Sequence, residues 1–257
     1  MSAVIRCEEA AGGRDLMTYL RRAARIEDGA VRIVGEPGFV AIWVPVLRPQ
    51  GILDAEPIVL GLRVVRGSIE GAAEADMRGG VFDVVVPVRG FLDRFAHEEP
   101  GQEIAIPDER RNEAWAGQLP ARDGWVAIGE LDEPSLRKVA HSGIRQVGKA
   151  VEAAKESGDQ KAMADARTGI WMRPIPHGLP AGVAFGAFAL GFIAPEGGKE
   201  GRVQVSQQRG WKRVSTLRGH ILVKVKDTGA PAPQQQGQQV QAPQPGQGPN
   251  QGDAAQA

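Results

Sequence analysis

One stretch of the chain has the spacing of a phosphate-binding loop. Residues 143–150 read Gly-Ile-Arg-Gln-Val-Gly-Lys-Ala, which fits G-x-x-x-x-G-K but places Ala150 where Ser or Thr would bind magnesium. Such a loop follows a strand and opens a helix, so that backbone N–H groups surround the phosphates. Here the match lies inside an apolar repeat of helical period. We therefore interpret it as part of a continuous helix and not as a nucleotide site.

Metal and acid–base sites need histidine, cysteine or carboxylate groups that lie close together. The four histidines are dispersed along the chain and Cys7 is the single cysteine, so the sequence predicts no metal site. The histidines are His97, His141, His177 and His220. Asp93 and His97 stand four apart at a predicted helix end, and Glu98 and Glu99 follow them. We interpret this group as a solvated helix end, with an acid–base site as the alternative.

The candidate nucleophiles also lack supporting residues. No G-x-S-x-G elbow occurs, and His141 and Ser142 are adjacent in a predicted helix, where neighbours point in different directions. Arg6 and Cys7 lie next to each other in a predicted strand and so face opposite sides of the sheet. We therefore expect Cys7 to be a buried structural residue without an activated thiolate. The sequence assigns no catalytic residue and no cofactor, and it leaves open whether the protein is an enzyme.

The clearest chemical signal is a local excess of positive charge near the end of the predicted fold. Residues 201–226 contain seven basic residues and no acidic one, although the whole chain has 31 of each. The rest of the chain therefore carries seven more acidic than basic residues. The candidate nucleic-acid or anion-binding residues are Arg202, Arg209, Trp211, Lys212, Arg213, Arg218, Lys224 and Lys226.

Several interpretations of this basic segment are open. A basic face with an aromatic residue can hold a phosphate backbone and stack a base. The acidic remainder of the chain could instead pair with the same charges inside the molecule, and lysines also protect sheet edges. We favour structural or intramolecular pairing, with nucleic acid or another anionic partner as alternatives. A smaller basic cluster on the first predicted helix, formed by Arg14, Arg21, Arg22 and Arg25, is interpreted as a solvated face.

The first part of the chain is predicted to be rich in strands. Apolar, β-branched runs indicate strands at residues 30–35, 39–47, 57–65 and 81–88, with shorter ones at 103–106 and 125–129. Gly35-Glu36-Pro37-Gly38 predicts a hairpin turn between the first two. Helices are predicted at 15–25 and 91–97. Because turns join most strands, we expect an α+β fold with a mostly antiparallel or mixed sheet and not a doubly wound one.

The second part is predicted to begin with two helices. Asp132 and Pro134 are typical of a helix start, and Ala140, Ile144, Val147, Val151 and Ala154 then form a narrow apolar seam. A second helix at about 160–169 would complete a helical hairpin. We expect the seam to pack inside the molecule, with a dimer seam as the alternative.

An uncharged stretch and three short strands follow the helical hairpin. The apolar residues 181–194 are too few for the ~20 that a membrane span needs, so we expect a buried helix. Gly182 and Gly186 would let this helix approach the sheet or the hairpin closely. A membrane-seeking or partner-binding element is the alternative. Strands at 202–206, 211–216 and 220–226 predict a small basic β-meander.

Composition places limits on organisation and function. A neutral chain with 42% hydrophobic residues is neither wholly disordered nor a generally basic nucleic-acid coat. We expect a β-rich part at 1–130, a helical and meander part at 131–228, and a disordered Gln/Pro/Gly/Ala-rich tail at 229–257. The single cysteine and the absence of a signal-like apolar segment favour a cytoplasmic location.

The sequence therefore predicts a cytoplasmic, non-enzymatic interaction protein that does not associate with membranes. The sequence does not identify the partner; a protein is one candidate, and the basic meander and the uncharged element at 174–195 would be the surfaces that meet it. A nucleic-acid-binding module that uses residues 201–226 is the second hypothesis, and a hydrolase or transferase with a site of dispersed residues is the third. The oligomeric state is not indicated.

Overall fold

The computed structural model describes residues 2–49, 57–95, 101–158 and 160–225. The predicted disordered tail at 229–257 lies outside these residues, and so do Lys226 and the predicted cluster at His97, Glu98 and Glu99. The elements up to residue 105 are β1 (Val4–Cys7), α1 (Ala10–Ile26), β2 (Ala30–Glu36), β3 (Phe39–Leu47), β4 (Val59–Glu70), β5 (Met77–Arg78), β6 (Val81–Pro87), α2 (Val88–Arg94) and β7 (Glu103–Ala105). The elements after it are β8 (Val126–Asp132), α3 (Glu133–Ser157), α4 (Gln160–Trp171), β9 (Pro174–Ile175), β10 (Leu179–Pro180), α5 (Gly182–Ala189), β11 (Arg202–Gln208), β12 (Trp211–Thr216) and β13 (Gly219–Lys224).

One large antiparallel sheet forms the centre of the fold. Within the described ranges, eleven strands take part, in the order β5-β6-β2-β3-β4-β13-β12-β11-β8, and β1 pairs with both β4 and β7. The predicted α+β class is therefore confirmed, and the sheet is antiparallel. Strand β13 pairs with β4, so strands from both sides of residue 130 share this sheet. The predicted meander is present as β11-β12-β13.

The first hairpin has the turn that the sequence predicts. Strand β2 ends at Glu36 and β3 begins at Phe39, so Pro37 and Gly38 form the tip. Gly38 has φ +82°, a left-handed conformation that glycine adopts without the penalty of a Cβ. Strand β3 is buried on both faces, as predicted. Pro45 lies where the register with β4 shifts, because it has no N–H to donate to the ladder.

Helix α1 is longer than predicted at its start. The sequence indicated residues 15–25, a range that leaves out Gly12 and Gly13, two residues of low helix propensity. The helix begins at Ala10 instead. A Cβ on Gly13 would lie 2.0 Å from the carbonyl oxygen of Gly101, so close packing requires glycine inside this helix. Tertiary contact thus outweighs the low helix propensity of the two glycines.

Helix α5 is buried against the sheet, as the sequence predicts for this uncharged stretch, although it spans only Gly182–Ala189. Added Cβ atoms would meet Leu47 Cδ1 at 2.4 Å from Gly182 and Val46 Cγ1 at 3.1 Å from Gly186. The two glycines therefore bring the helix backbone close to β3. Among the described helices, none has the length and apolar composition needed to cross a membrane.

Helix α3 begins with the predicted cap and continues into the predicted hairpin. The Oδ1 atom of Asp132 accepts a hydrogen bond from the Ser135 N–H at 2.7 Å, which is the geometry of an N-cap. This backbone hydrogen bond holds the pKa of Asp132 below its usual value. Residues 143–150 lie inside α3, so the glycine-lysine match is helical along its length, as predicted.

The sheet carries a separate apolar cluster on the face opposite α1 and α5. The buried members of this tryptophan cluster are Ile58, Leu60, Trp115, Ala116, Trp211 and Leu222, and the partly buried members are Trp43, Leu62, Val85, Leu119 and Trp125. Side chains of neighbouring residues on a strand alternate between faces, so Leu222 lies here while Ile221 and Val223 join the core on the helical side. Both faces of the sheet are thus covered.

Candidate functional site

A groove of about 1050 Å³ lies between the helices and the end of β3. Its floor comes from β3 and α5, and its walls come from the last turns of α1 and from the helical hairpin of α3 and α4. The lining residues are Arg22, Arg25, Ile26, Glu27, Val46, Leu47, Arg48, Ile144, Val147, Val151, Met163, Ala164, Asp165, Arg167, Thr168, Trp171, Phe185 and Ala189. The groove is therefore built from elements that are distant in the sequence.

The apolar seam of α3 explains one wall of the groove. The first seam residue, Ala140, is fully buried, which agrees with the predicted packing inside the molecule. Farther along the helix, Ile144, Val147 and Val151 line the groove, and Ile144 is 39% exposed. The seam is thus buried at Ala140, and its later residues border the open groove.

Aromatic side chains complete the apolar part of the groove. The rings of Trp171 and Phe185 stack with their centroids 4.7 Å apart. Trp171 itself is only 3% exposed and packs against Gly143 of α3, where a Cβ would approach the ring to 2.2 Å. This packing fixes the helical hairpin against α5, which gives the groove a preformed shape.

Arginines contribute most of the charge at the groove. Arg48 donates from Nε to Glu27 Oε1 at 3.0 Å, and this hydrogen bond raises the pKa of Arg48. Arg22 donates from Nη1 to the carbonyl oxygen of Leu190 at 3.2 Å, at the C-terminal end of α5. Cations are favourable at that end of a helix. These two arginines therefore have structural roles.

Arg25 and Arg167 differ from these two. Arg25 lies in the last turn of α1 and Arg167 lies in α4, so the two side chains line the groove from different walls. Within the described part of the chain, neither guanidinium has a hydrogen-bond or ion-pair partner. Asp165, the acid nearest to Arg167 in sequence, pairs with Lys161 at 2.7 Å. The groove therefore has, beside its apolar floor, two cations without a partner among the described residues.

The basic segment predicted as a binding face is divided by the sheet. Lys212 faces the helical side, where its Nζ donates to the carbonyl oxygens of His177 at 2.6 Å and Gly178 at 3.1 Å. Arg202 forms an ion pair with Glu130 at 3.1 Å, and Lys224 donates to Gln118 Oε1 at 2.6 Å. The last two side chains lie on the opposite face from Lys212, because their positions differ in the strand alternation.

The remaining members of the segment occupy different surroundings. Arg218 lies 3.8 Å from Glu133, a buried acid whose other oxygen accepts the Ala194 N–H at 2.6 Å. Arg209 lies in the exposed turn between β11 and β12. Trp211 is 6% exposed and belongs to the tryptophan cluster, so its faces are covered by protein. The use of this segment by nucleic acid stays a prediction, and Lys226 lies outside the described residues.

A serine and a histidine meet on the meander. The Nδ1 atom of His220 lies 2.9 Å from Ser215 Oγ, because the two residues are directly opposite in the β12–β13 hairpin. Burial, and then the charges of Arg213 and Arg63, lower the pKa of His220 to about 4. A group with so low a pKa is a weak general base near neutral pH. This pair was not predicted from the sequence, although both residues lie in strands of the predicted hairpin.

Other reactive groups are held in structural positions. Cys7 is 2% exposed, and burial raises the pKa of its thiol, so the predicted structural role agrees with its surroundings. Arg6 is on the other face, paired with Glu70 and Glu103. Across the ranges that the structure describes, no group of three or more histidine, cysteine or carboxylate side chains is arranged to hold a metal ion.

The groove was not predicted from the sequence. Arg25 was interpreted as part of a solvated helix face, and Arg167 was given no role. The signal that pointed nearest to the site was the apolar seam of α3, because its later residues Ile144, Val147 and Val151 form one wall. The other walls come from segments whose proximity only the folded chain establishes.

Comparisons with known proteins identify two families of unknown function. Residues 1–117 match a family described as a domain of unknown function (DUF8010), and residues 120–228 match another described as a domain of unknown function (DUF8185). No curated protein matches. Among solved structures, a DNA polymerase sliding clamp from Caulobacter crescentus matches with 11% identity and a TM-score of 0.47 over 90% of this chain. The matched region spans 66% of that clamp's length.

Proposed function

We propose that this protein is a non-catalytic binding protein and that the groove between α1, α3, α4 and α5 is its ligand site. The observation that carries the proposal is the combination of an apolar floor with two arginines, Arg25 and Arg167, that have no partner among the described residues. Small-molecule sites are concave, largely apolar and of several hundred to about 1,000 Å³, with few polar groups that orient the ligand. The groove has this character at about 1050 Å³.

The charge of the lining selects the kind of ligand. Among the lining residues that the structure describes, there are two acids, Glu27 and Asp165, and four arginines, Arg22, Arg25, Arg48 and Arg167. Those acids already have basic partners, Arg48 and Lys161. An anionic ligand would therefore meet a positive field and little repulsion. Burial against the apolar floor makes the free energy of binding most favourable for a ligand whose body is also apolar. The proposed ligand is therefore an amphipathic anion.

The absence of catalysis is part of the same proposal. Among the described lining residues there is no histidine, cysteine or serine, and Thr168 supplies the single hydroxyl group. The Ser215–His220 pair lies on the other face of the sheet, away from the groove. The cytoplasmic location expected from the sequence is retained in the proposal, supported by the free Cys7, since a reducing compartment requires no disulfide.

The experiment uses the full chain and the fluorescent anion 1-anilinonaphthalene-8-sulfonate, whose emission rises in apolar surroundings. We expect saturable binding that Val151→Glu weakens at least tenfold, because this change places a carboxylate on the apolar wall. Ala153→Glu adds the same charge to the exposed side of α3 and serves as the matched control. Both variants are first compared with the wild type by circular dichroism.

Two outcomes contradict the proposal. If the wild-type protein shows no saturable enhancement of the probe, then the groove does not accept an amphipathic anion. If Val151→Glu and Ala153→Glu bind the probe as tightly as the wild type, then the probe binds elsewhere on the molecule.

A further inference from the structure

We infer that the ligand of the groove is a single-chain amphiphile with a terminal oxyanion, and that Arg25 and Arg167 together hold that oxyanion. This inference rests on the proposed function and goes further, because it assigns the headgroup and the chain to separate parts of the groove. The shared chemistry is an alkyl or acyl chain that ends in a carboxylate or in a phosphate monoester.

The headgroup position follows from which arginines are already used. Glu27 neutralises Arg48, and the carbonyl oxygen of Leu190 accepts from Arg22. Arg25 and Arg167 have no such partner within the described residues and approach the groove from α1 and α4. A planar guanidinium is well suited to bind the two oxygens of a carboxylate or phosphate. An oxyanion that reaches both walls would thus bind two guanidinium groups that have no partner among the described residues.

The chain position follows from the apolar lining. Val46 and Leu47 of β3, Phe185 and Ala189 of α5, and the α3 seam residues are apolar members of the lining. Such a surface can bury methylene groups but supplies no hydrogen bonds to a polar ligand body. A sugar or a nucleoside would leave its hydroxyl and amide groups unsatisfied there, which is costly. An alkyl chain has no such groups, so it fits this part of the groove.

Trp171 provides a direct readout of the chain position. It lines the groove, whereas the other four tryptophans, Trp43, Trp115, Trp125 and Trp211, belong to the cluster on the opposite face of the sheet. Bromine atoms quench a tryptophan that they contact. We expect 9,10-dibromostearate to quench the wild-type protein and to lose this effect in Trp171→Phe. Unchanged quenching in Trp171→Phe would overturn the assignment of the chain to the groove.

Headgroup recognition is tested with short amphiphiles below their micelle concentrations, by displacement of the fluorescent probe. We expect decanoate or decyl phosphate to bind at least tenfold more tightly than decanol and decyltrimethylammonium, and the comparison of the two anions identifies the preferred oxyanion. Lengthening the chain by one methylene should tighten binding by about fourfold, the value expected for complete burial.

Arginine variants separate the headgroup contact from general charge. Arg25→Gln and Arg167→Gln should each weaken decanoate about tenfold and leave decanol binding unchanged, since a hydrogen bond to a charged group is lost. Arg21→Gln and Arg145→Gln remove the same charge at exposed positions on α1 and α3 that do not line the groove, and they are the matched controls. These controls should bind decanoate as the wild type does.

The outcomes distinguish this inference from the proposed function. If decanol binds as tightly as decanoate, or if the double variant R25Q/R167Q keeps wild-type affinity for decanoate, the headgroup assignment is wrong while the groove remains a ligand site. If neither the fluorescent probe nor any amphiphile binds, the proposed function itself is wrong. If sedimentation shows that the groove variants dissociate a dimer that binds no amphiphile, a second copy of the chain covers the groove and the inference is overturned.

Discussion

The guanidinium of Arg213 lies over the indole ring of Trp125, with its central carbon 4.4 Å from the ring centroid. The partner of Arg213 is therefore an aromatic residue from a distant segment and not Trp211, its near neighbour in sequence. Burial lowers the pKa of Arg213, and its Nε has no hydrogen-bond partner among the described residues. The ring thus offers a cation–π contact to a partly desolvated charge.

A double-mutant cycle measures the Arg213–Trp125 contact. We expect Arg213→Met, Trp125→Leu and the double variant to give a coupling energy of about 0.5–2 kcal/mol in urea unfolding, the range of cation–π pairs. Met keeps much of the side-chain volume, so the cycle reports the charge and not a cavity. A coupling energy indistinguishable from zero would show that the stacking does not stabilise the fold.

The two glycines of the G-x-x-x-x-G-K match should respond oppositely to alanine. A Cβ on Gly143 would lie 2.2 Å from Trp171, whereas nothing lies within 4 Å of a Cβ on Gly148. We expect Gly143→Ala to reduce the free energy of unfolding by about 1–3 kcal/mol through overpacking. Gly148→Ala should raise it by about 0.5–1 kcal/mol, the usual gain from replacing glycine in a helix.

Thermal and urea unfolding of the two glycine variants check this prediction. A similar change in both variants would contradict it, because the backbone term is the same at both positions and the difference comes from Trp171. ATP binding, measured in parallel, should be undetectable in the wild type, since the match lies within a helix.

His220 should make the folded protein less stable in mild acid. Its folded pKa of about 4 lies below the ~6.5 of an unfolded histidine, so between these values the unfolded chain binds more protons. The contribution of His220 to the free energy of unfolding is therefore fully present above about pH 6.5. It is lost as the pH falls, by up to about 3 kcal/mol at pH 4. His220→Gln should flatten this part of the pH profile relative to the wild type.

NMR provides an independent measurement for the same residue. At pH 5.5 the His220 ring should remain neutral and keep its contact with Ser215. If the ring titrates near pH 6.5, the buried environment does not lower its pKa and the stability prediction is wrong as well.

Basic residues of the meander should bind nucleic acid weakly, because protein groups already engage Arg202, Lys212, Arg213 and Lys224. We expect labelled DNA and RNA to show a shallow dependence of affinity on salt, and R202Q/K224Q to change it little. Arg202 and Lys224 are exposed, which makes them safer to substitute than Lys212 or Arg213.

A steep salt dependence of nucleic-acid affinity would contradict this prediction. The plot of log affinity against log salt concentration could instead be steep, with R202Q/K224Q lowering its slope by nearly two. These residues would then contact phosphates, since each neutralised phosphate contributes about 0.9 to the slope for duplex DNA. Arg6→Gln, a charge removed at the distant β1 strand, is the control.

Much of the fold could be predicted from local sequence patterns. The hairpin at Pro37–Gly38, the cap at Asp132, the α3 seam and the buried helix with Gly182 and Gly186 were all found, because each depends on neighbouring residues. The start of α1 was placed too late, since the packing of Gly13 against Gly101 involves residues far apart in sequence. The same limit applies to the groove, which no single segment forms.

The sequence by itself determined the approximate positions of most strands and helices and the concentration of positive charge in residues 201–226, because apolar period, turn residues and charge are local properties. Only the tertiary structure decided which faces these residues occupy. Pairing of β13 with β4 and the strand alternation separate Lys212 from Arg202 and Lys224, so one basic segment becomes several paired sites. Packing of the helical hairpin beside α1 brings Arg25 and Arg167 to one apolar groove. That convergence depends on long-range contacts whose energies outweigh local preference, and it creates the chemistry on which the proposed function rests.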